Sequence, residues 1–237
     1  SSNDKKMLNA QWNSLPEFDC TERNAIAVVD TSGSMFWDDS LPLPATVALS
    51  LGLYFAEHNE AEGLKNKFIT FSSEPELIEV KGDNLYDKIN NMGDAHWDNN
   101  TDIEAVFDLI LKTAEEYELD PDEIPQKLYI ISDMEFDHAR GCSPYGYERD
   151  SITDKRTLMQ KIADKFSVTK YDMPLLVFWN VDSRQDQVPV KMDETGFQMV
   201  SGCSPNIFKW AVDNEATNAY DLMIDVLSDE RYDVVTV

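Results

Sequence analysis

The sequence predicts an α/β fold, a central and mostly parallel sheet with one antiparallel edge strand and helices on both faces. Two observations carry this. Short runs rich in β-branched residues, with no polar alternation, have the composition of strands buried on both faces. Between them lie longer segments whose apolar residues recur at helical spacing, and such alternation is how a parallel sheet is built and covered.

The elements follow in chain order. "NAIAVVD" (Asn24 to Asp30) reads as the central strand. "PATVALSLGLYFAEHN" (Pro44 to Asn59) reads as a helix, its prolines suited to a helix start. "KFITFS" and "ELIEV" flank the turn-like "SSEP" and are predicted to pair as a hairpin. "TDIEAVFDLILKTAEEY" is a second strong helix and "QKLYIIS" a strand. "DKRTLMQKIADKFS", from about Asp154, is a helix, "PLLVFWN" a strand and "GFQMVS" a short strand. The tail from Pro205 to Leu227 holds one or two helices. The strand ending at Asp30 is expected between "FITF" and "LYIIS", with "ELIEV" as the antiparallel edge. There is no repeat, low-complexity segment or clear linker, so residues 1–23 form an N-terminal arm and residues 24–237 one domain.

Composition narrows the function classes. In 237 residues, 45 acidic side chains face 20 basic ones, a formal net charge of −25. So acidic a surface repels phosphate backbones and anionic membranes, which argues against direct nucleic-acid binding by this chain. Cys20, Cys142 and Cys203 are few, odd in number and widely spaced, the pattern of a reducing compartment rather than a disulfide framework. No stretch has the length of a membrane span or the apolar core of a signal peptide, so a soluble, cytoplasmic protein is expected. A start without methionine implies processing or a piece of a longer chain.

The chemistry concentrates where strands end. In open α/β sheets, sites form at the carboxyl ends of the strands. "VVDTSGSM" places Asp30 at such an end, with Ser32 and Ser34 in the next loop and Gly33 permitting a tight turn between them. "WDNNTDIE" presents Thr101 just before a helix, and "IISDMEFD" presents Asp133 just after a strand. Two carboxylates and three hydroxyls, without His or Cys, suit Mg2+, or else Mn2+ or Ca2+. So few charges leave such an ion open to a carboxylate from another molecule.

The Asp-x-Ser-x-Ser run with its distant Thr and Asp resembles the metal-ion-dependent adhesion site of von Willebrand factor A domains. "QWNSL", "ALSLGLYF", "ITFSSEPEL", "NNTDIEAVFDLIL", "SDMEFD", "VFWN" and "VSGCSPNIFKW" narrow the likeness. They resemble an intracellular A-like family of unknown function found in plants, fungi, bacteria and viruses, related in style to the A domain of the Ro ribonucleoprotein. The resemblance implies a Rossmann-like von Willebrand A fold. It makes Ser32, Ser34 and Thr101 direct metal ligands, with Asp30 and Asp133 supporting or joining them. It also implies a protein partner that supplies an Asp or Glu to the metal, and a largely helical region preceding the domain in relatives.

Other features have plainer readings. Glu135, Asp137, Asp38 and Asp39 read as solvated loop acids, although the first pair could mark a second cation site. His58, His96, His138 and Cys142 lack zinc-ligand spacing. Both "GCSP" runs read as turn or helix-start chemistry. The segment from Met134 to Asp150 fits a functional or a disordered loop equally. Lys155, Arg156, Lys161, Lys165 and Lys170 read as a solvated helix face. Phe36 and Trp37 follow the second serine and would form an apolar rim around the metal, or fold back over their own helix.

Three function classes remain. The expected one is a metal-dependent protein-binding module, not an enzyme. A phosphohydrolase with Asp30 as nucleophile would want a second carboxylate two residues on, where Ser32 stands. A structural domain of a Ro-like ribonucleoprotein scaffold is the alternative, with RNA held through a missing helical region.

Overall fold

The computed structural model describes residues 2–15, 24–30, 32–36, 42–61, 63–95, 102–134, 157–182, 197–204, 207–208, 211–212 and 228. Six strands form one sheet: β1 (Ala25–Asp30), β2 (Lys67–Phe71), β3 (Leu77–Glu79), β4 (Lys127–Ser132), β5 (Leu175–Asn180) and β6 (Phe197–Ser201), in the order β3-β2-β1-β4-β5-β6. β1 runs parallel to β2 and β4, the parallel pairing continues through β5 and β6, and β3 pairs antiparallel with β2. This is the doubly wound order, whose crevice opens where the winding reverses, here beside β1. The predicted centre, neighbours and antiparallel edge are all observed.

Why β1 lacks polar alternation is now visible. Ala25, Ala27 and Val29 pack into the core on one face, and Ile26 and Val28 into the core on the other. β4 and β5 repeat the division, with Tyr129, Ile131, Val177 and Trp179 on the first face and Leu128, Ile130, Leu176 and Phe178 on the second.

Helix α2 (Pro44–His58) covers the first face. Its small residues Ala45, Ala48, Gly52 and Ala56 let the backbone approach β1 closely, and a Cβ on Gly52 would stand 2.4 Å from Val29 Cγ2. Residues 207, 208, 211 and 212 are helical; Phe208, Ala211 and Val212 are buried on this face, and Tyr129 Oη donates to the Ala211 carbonyl at 3.1 Å. The second face is covered by α4 (Ile103–Glu116), through Ile103, Val106, Phe107, Ile110 and Ala114, and by α5 (Leu158–Ser167), through Met159, Ile162 and Phe166. Among the described residues, the remaining α-helices are α1 (Ser2–Trp12) and α3 (Leu85–Gly93). Among the described residues, no helix is long and apolar enough to cross a membrane.

Three local features differ from expectation. The stretch read as an arm contains α1, which docks by packing Trp12 against the core and through polar contacts: Asn9 Oδ1 accepts from Leu85 N–H, Trp12 Nε1 donates to Glu57, and Lys5 Nζ sits 3.1 Å from the Tyr86 ring centre. α3 was not expected; it is capped by Asn84, whose side chain accepts from Asp87 N–H, and it buries Met92. α5 starts at Leu158 rather than near Asp154, because Thr157 and Gln160 form a reciprocal capping box that fixes its first turn. Lys155, Arg156 and most of the predicted C-terminal helices lie outside the described residues.

Candidate functional site

The carboxyl edge of the sheet is polar. Asp30, Ser132, Asn180 and Ser201 end β1, β4, β5 and β6, with Ser132 in register with Asn180 and Asn180 with Ser201. Three neighbouring strands leave the sheet by one device, in which the last side chain accepts a hydrogen bond from the N–H two residues on. Asp30 Oδ1 accepts from Ser32 N–H at 2.9 Å, Ser132 Oγ from Met134 N–H at 2.9 Å, and Asn180 Oδ1 from Asp182 N–H at 2.9 Å. Such turns redirect the chain across the sheet edge and place the next residues above it.

After β1 the chain enters a short 3-10 turn, Gly33–Phe36, begun by a hydrogen bond from Met35 N–H to the Ser32 carbonyl at 3.1 Å. Buried Met35 anchors that turn in the core, while Phe36 is 50% exposed beside Ser34. Ser32 Oγ and Ser34 Oγ lie 3.0 Å apart. The two hydroxyls are therefore in hydrogen-bond contact with each other.

Below them is Asp30, fully buried, with its second oxygen, Oδ2, accepting from Ser132 Oγ at 2.5 Å. Burial pushes the Asp30 carboxyl up to about 6; the hydrogen bonds from Ser132 and Ser32 pull the other way, and the nearby charge of Asp133 adds to the rise. Asp133 is itself 3% exposed at the end of β4. Met134 follows with φ at 64° and its side chain in the core, so the chain turns sharply there.

The structure thus brings Asp30, Ser32, Ser34 and Asp133 to two adjacent strand ends. Thr101 lies outside the described residues; the helix it was expected to precede starts at Ile103, with Asp102 as its cap. Trp37, Glu135, Asp137, Asp38, Asp39, His96, His138, Cys20 and Cys142 also lie outside them. His58 is a helix-end residue as expected, stacked on Tyr54. Lys165 forms ion pairs with Glu104 and Asp108 on α4, so this part of the basic face joins two helices. Sequence reasoning missed Ser132, although a serine closing an apolar strand just before Asp133 was available as a signal.

The donor set fits a small, hard cation. All the side-chain oxygens are hard ligands, and Ser32 and Ser34, hydrogen-bonded to each other at 3.0 Å, are close enough to occupy adjacent positions around one ion. A bound cation would compensate two carboxylates held out of water in neighbouring strands. Among the described residues no group of three or more His, Cys, Asp and Glu side chains gathers. An ion here would therefore rest on hydroxyls as well as carboxylates.

A family model described as "Domain of unknown function (DUF7788)" matches residues 24–234. Uncharacterized protein L728 of Acanthamoeba polyphaga mimivirus is 31% identical over 231 residues, which cover 96% of this chain and 37% of that protein. The chain therefore spans little more than a third of that relative's length. Among solved structures, the crystal structure of the Deinococcus radiodurans RO (RSR) protein aligns with a TM-score of 0.48 and 12% identity, over 84% of this chain and 35% of that chain.

Proposed function

The chain belongs to the DUF7788 family of unknown function, and we propose that it acts there as a divalent-metal-dependent protein-binding module of the von Willebrand A type. The observation that carries this reading is the pair of hydroxyls, Ser32 and Ser34, held 3.0 Å apart beside the buried carboxylate of Asp30. Ser32, Ser34 and Thr101 are assigned as direct ligands of Mg2+, or of Mn2+ or Ca2+, with Asp30 and Asp133 in support. When bound, the ion supplies an electrophilic position that a partner's Asp or Glu fills.

The chain's own residues prepare that position. Asp30 fixes the serine loop by accepting the Ser32 N–H. Phe36 adds an exposed apolar contact on the rim, where water exclusion strengthens a polar bond. Both Asp30 oxygens are engaged, one by Ser32 and one by Ser132, which supports a positioning role over that of a nucleophile. Binding rather than turnover is therefore proposed, in the cytoplasm and without direct nucleic-acid contact; the charge of −25 supports the last point.

The test is partner capture in Mg2+ and in chelator, with nuclease treatment, using wild type, Ser34→Ala and Phe36→Ala. Capture should survive nuclease, fall in chelator and in Ser34→Ala, and weaken in Phe36→Ala without a change in melting temperature. Capture that survives both chelation and Ser34→Ala contradicts the reading, and capture abolished by nuclease favours the ribonucleoprotein scaffold instead.

A further inference from the structure

We infer that Ser132 is a positioning residue of the metal site, coupling the Asp30 carboxylate to the turn that presents Asp133. The inference rests on the metal-binding reading above and adds to it a residue outside the Asp-x-Ser-x-Ser motif. Ser132 is fully buried at the end of β4, and its hydroxyl makes two contacts. Oγ donates to Asp30 Oδ2 at 2.5 Å and accepts from Met134 N–H at 2.9 Å. With Asp30 ionised the directions are fixed by chemistry: a backbone N–H only donates and a carboxylate only accepts, so the single hydroxyl proton goes to Asp30.

The two contacts flank the two carboxylates. One sets the rotation of Asp30, whose other oxygen is already held by Ser32 N–H. The other closes the three-residue turn Ser132, Asp133, Met134, whose last member has φ at 64°. A left-handed backbone at a methionine is disfavoured unless its surroundings hold it, and the bond from Met134 N–H to Ser132 Oγ is such a restraint. The Ser132 carbonyl also accepts from Val181 N–H at 3.0 Å, tying the turn to the end of β5. Removing this hydroxyl releases one carboxylate oxygen and a buried N–H together, so Asp30 keeps only its bond from Ser32 N–H and the turn that carries Asp133 loses a restraint.

Partners of this kind hold metal ligands in place, and their loss costs ~10–100-fold in metal affinity. Ser132→Thr keeps the hydroxyl, whereas Ser132→Val has the same shape without it. The experiment measures Mn2+ affinity by electron paramagnetic resonance, with thermal melting in chelator, for wild type, Ser132→Thr and Ser132→Val. Ser132→Thr should bind Mn2+ within ~3-fold of wild type and Ser132→Val at least ~10-fold more weakly, while both fold. Ser132→Ala against wild type gives the same comparison if a β-branched variant does not fold. Equal Mn2+ affinity with and without the hydroxyl overturns the inference, even if melting temperatures differ, because Ser132 then only stabilises the turn. A wild-type protein that binds no Mn2+ contradicts the underlying metal reading instead.

Discussion

Asp30 shows how one buried residue can link fold stability to pH. Burial raises its carboxyl from 3.8 to about 6, equivalent to about 3 kcal/mol between its two protonation states. In the metal-free protein the folded state therefore holds this proton more tightly than the unfolded state. The stability contributed by protonation is fully present below about pH 3.8 and is lost as pH rises through about 6. Asp30→Asn removes the titration while keeping the shape. In chelator, the stability of wild type should fall by about 2.5 kcal/mol relative to Asp30→Asn between pH 4 and pH 7.5, as measured by denaturant unfolding at each pH. Parallel stability curves for the two proteins would show that Asp30 is solvated and not held as described.

At the scale of elements, the contact of α2 with β1 positions the serine loop, because Asp30 directly follows Val29 in the packed strand. A Cβ at Gly52 would meet Val29 Cγ2 at 2.4 Å, and a buried branched side chain has little room to yield. Gly52→Ala should cost about 1–3 kcal/mol despite alanine's better helix propensity, lowering the melting temperature by several degrees. A raised melting temperature would mean that α2 sits farther from the sheet. The elements legible in sequence were those whose apolar residues meet the core: β1, α2 and α4 announce themselves by pattern alone. α1 and α3 announce themselves less, because α1 reaches the core through Trp12 beside polar contacts of Asn9 and Glu57, and α3 buries Met92 while Leu85 and Ile89 are only partly covered. The site divides in the same way. Asp30, Ser32 and Ser34 were legible because their chemistry lies within five consecutive residues. Asp133 was read from its strand end, and Ser132 stood beside it, but the bond from Ser132 to Asp30, 102 residues away, exists only through the β1–β4 register and is not written in the local sequence.

For the whole molecule, a net charge of −25 means that divalent cations gather weakly around the surface whether or not a site exists. Metal-induced stabilisation alone therefore says little about the strand ends; a comparison at constant net charge is required. Ser34→Ala provides it, since it removes one uncharged hydroxyl from the loop without altering the acidic field or the core. The most direct measurement is a Mn2+ titration of chelator-stripped wild type and Ser34→Ala at physiological ionic strength, where diffuse binding is screened. One site per chain is predicted in wild type, weakened at least ~10-fold in a normally folded Ser34→Ala, above a diffuse background common to both. Superimposable titrations of the two proteins would contradict the claim that these serines hold a metal ion.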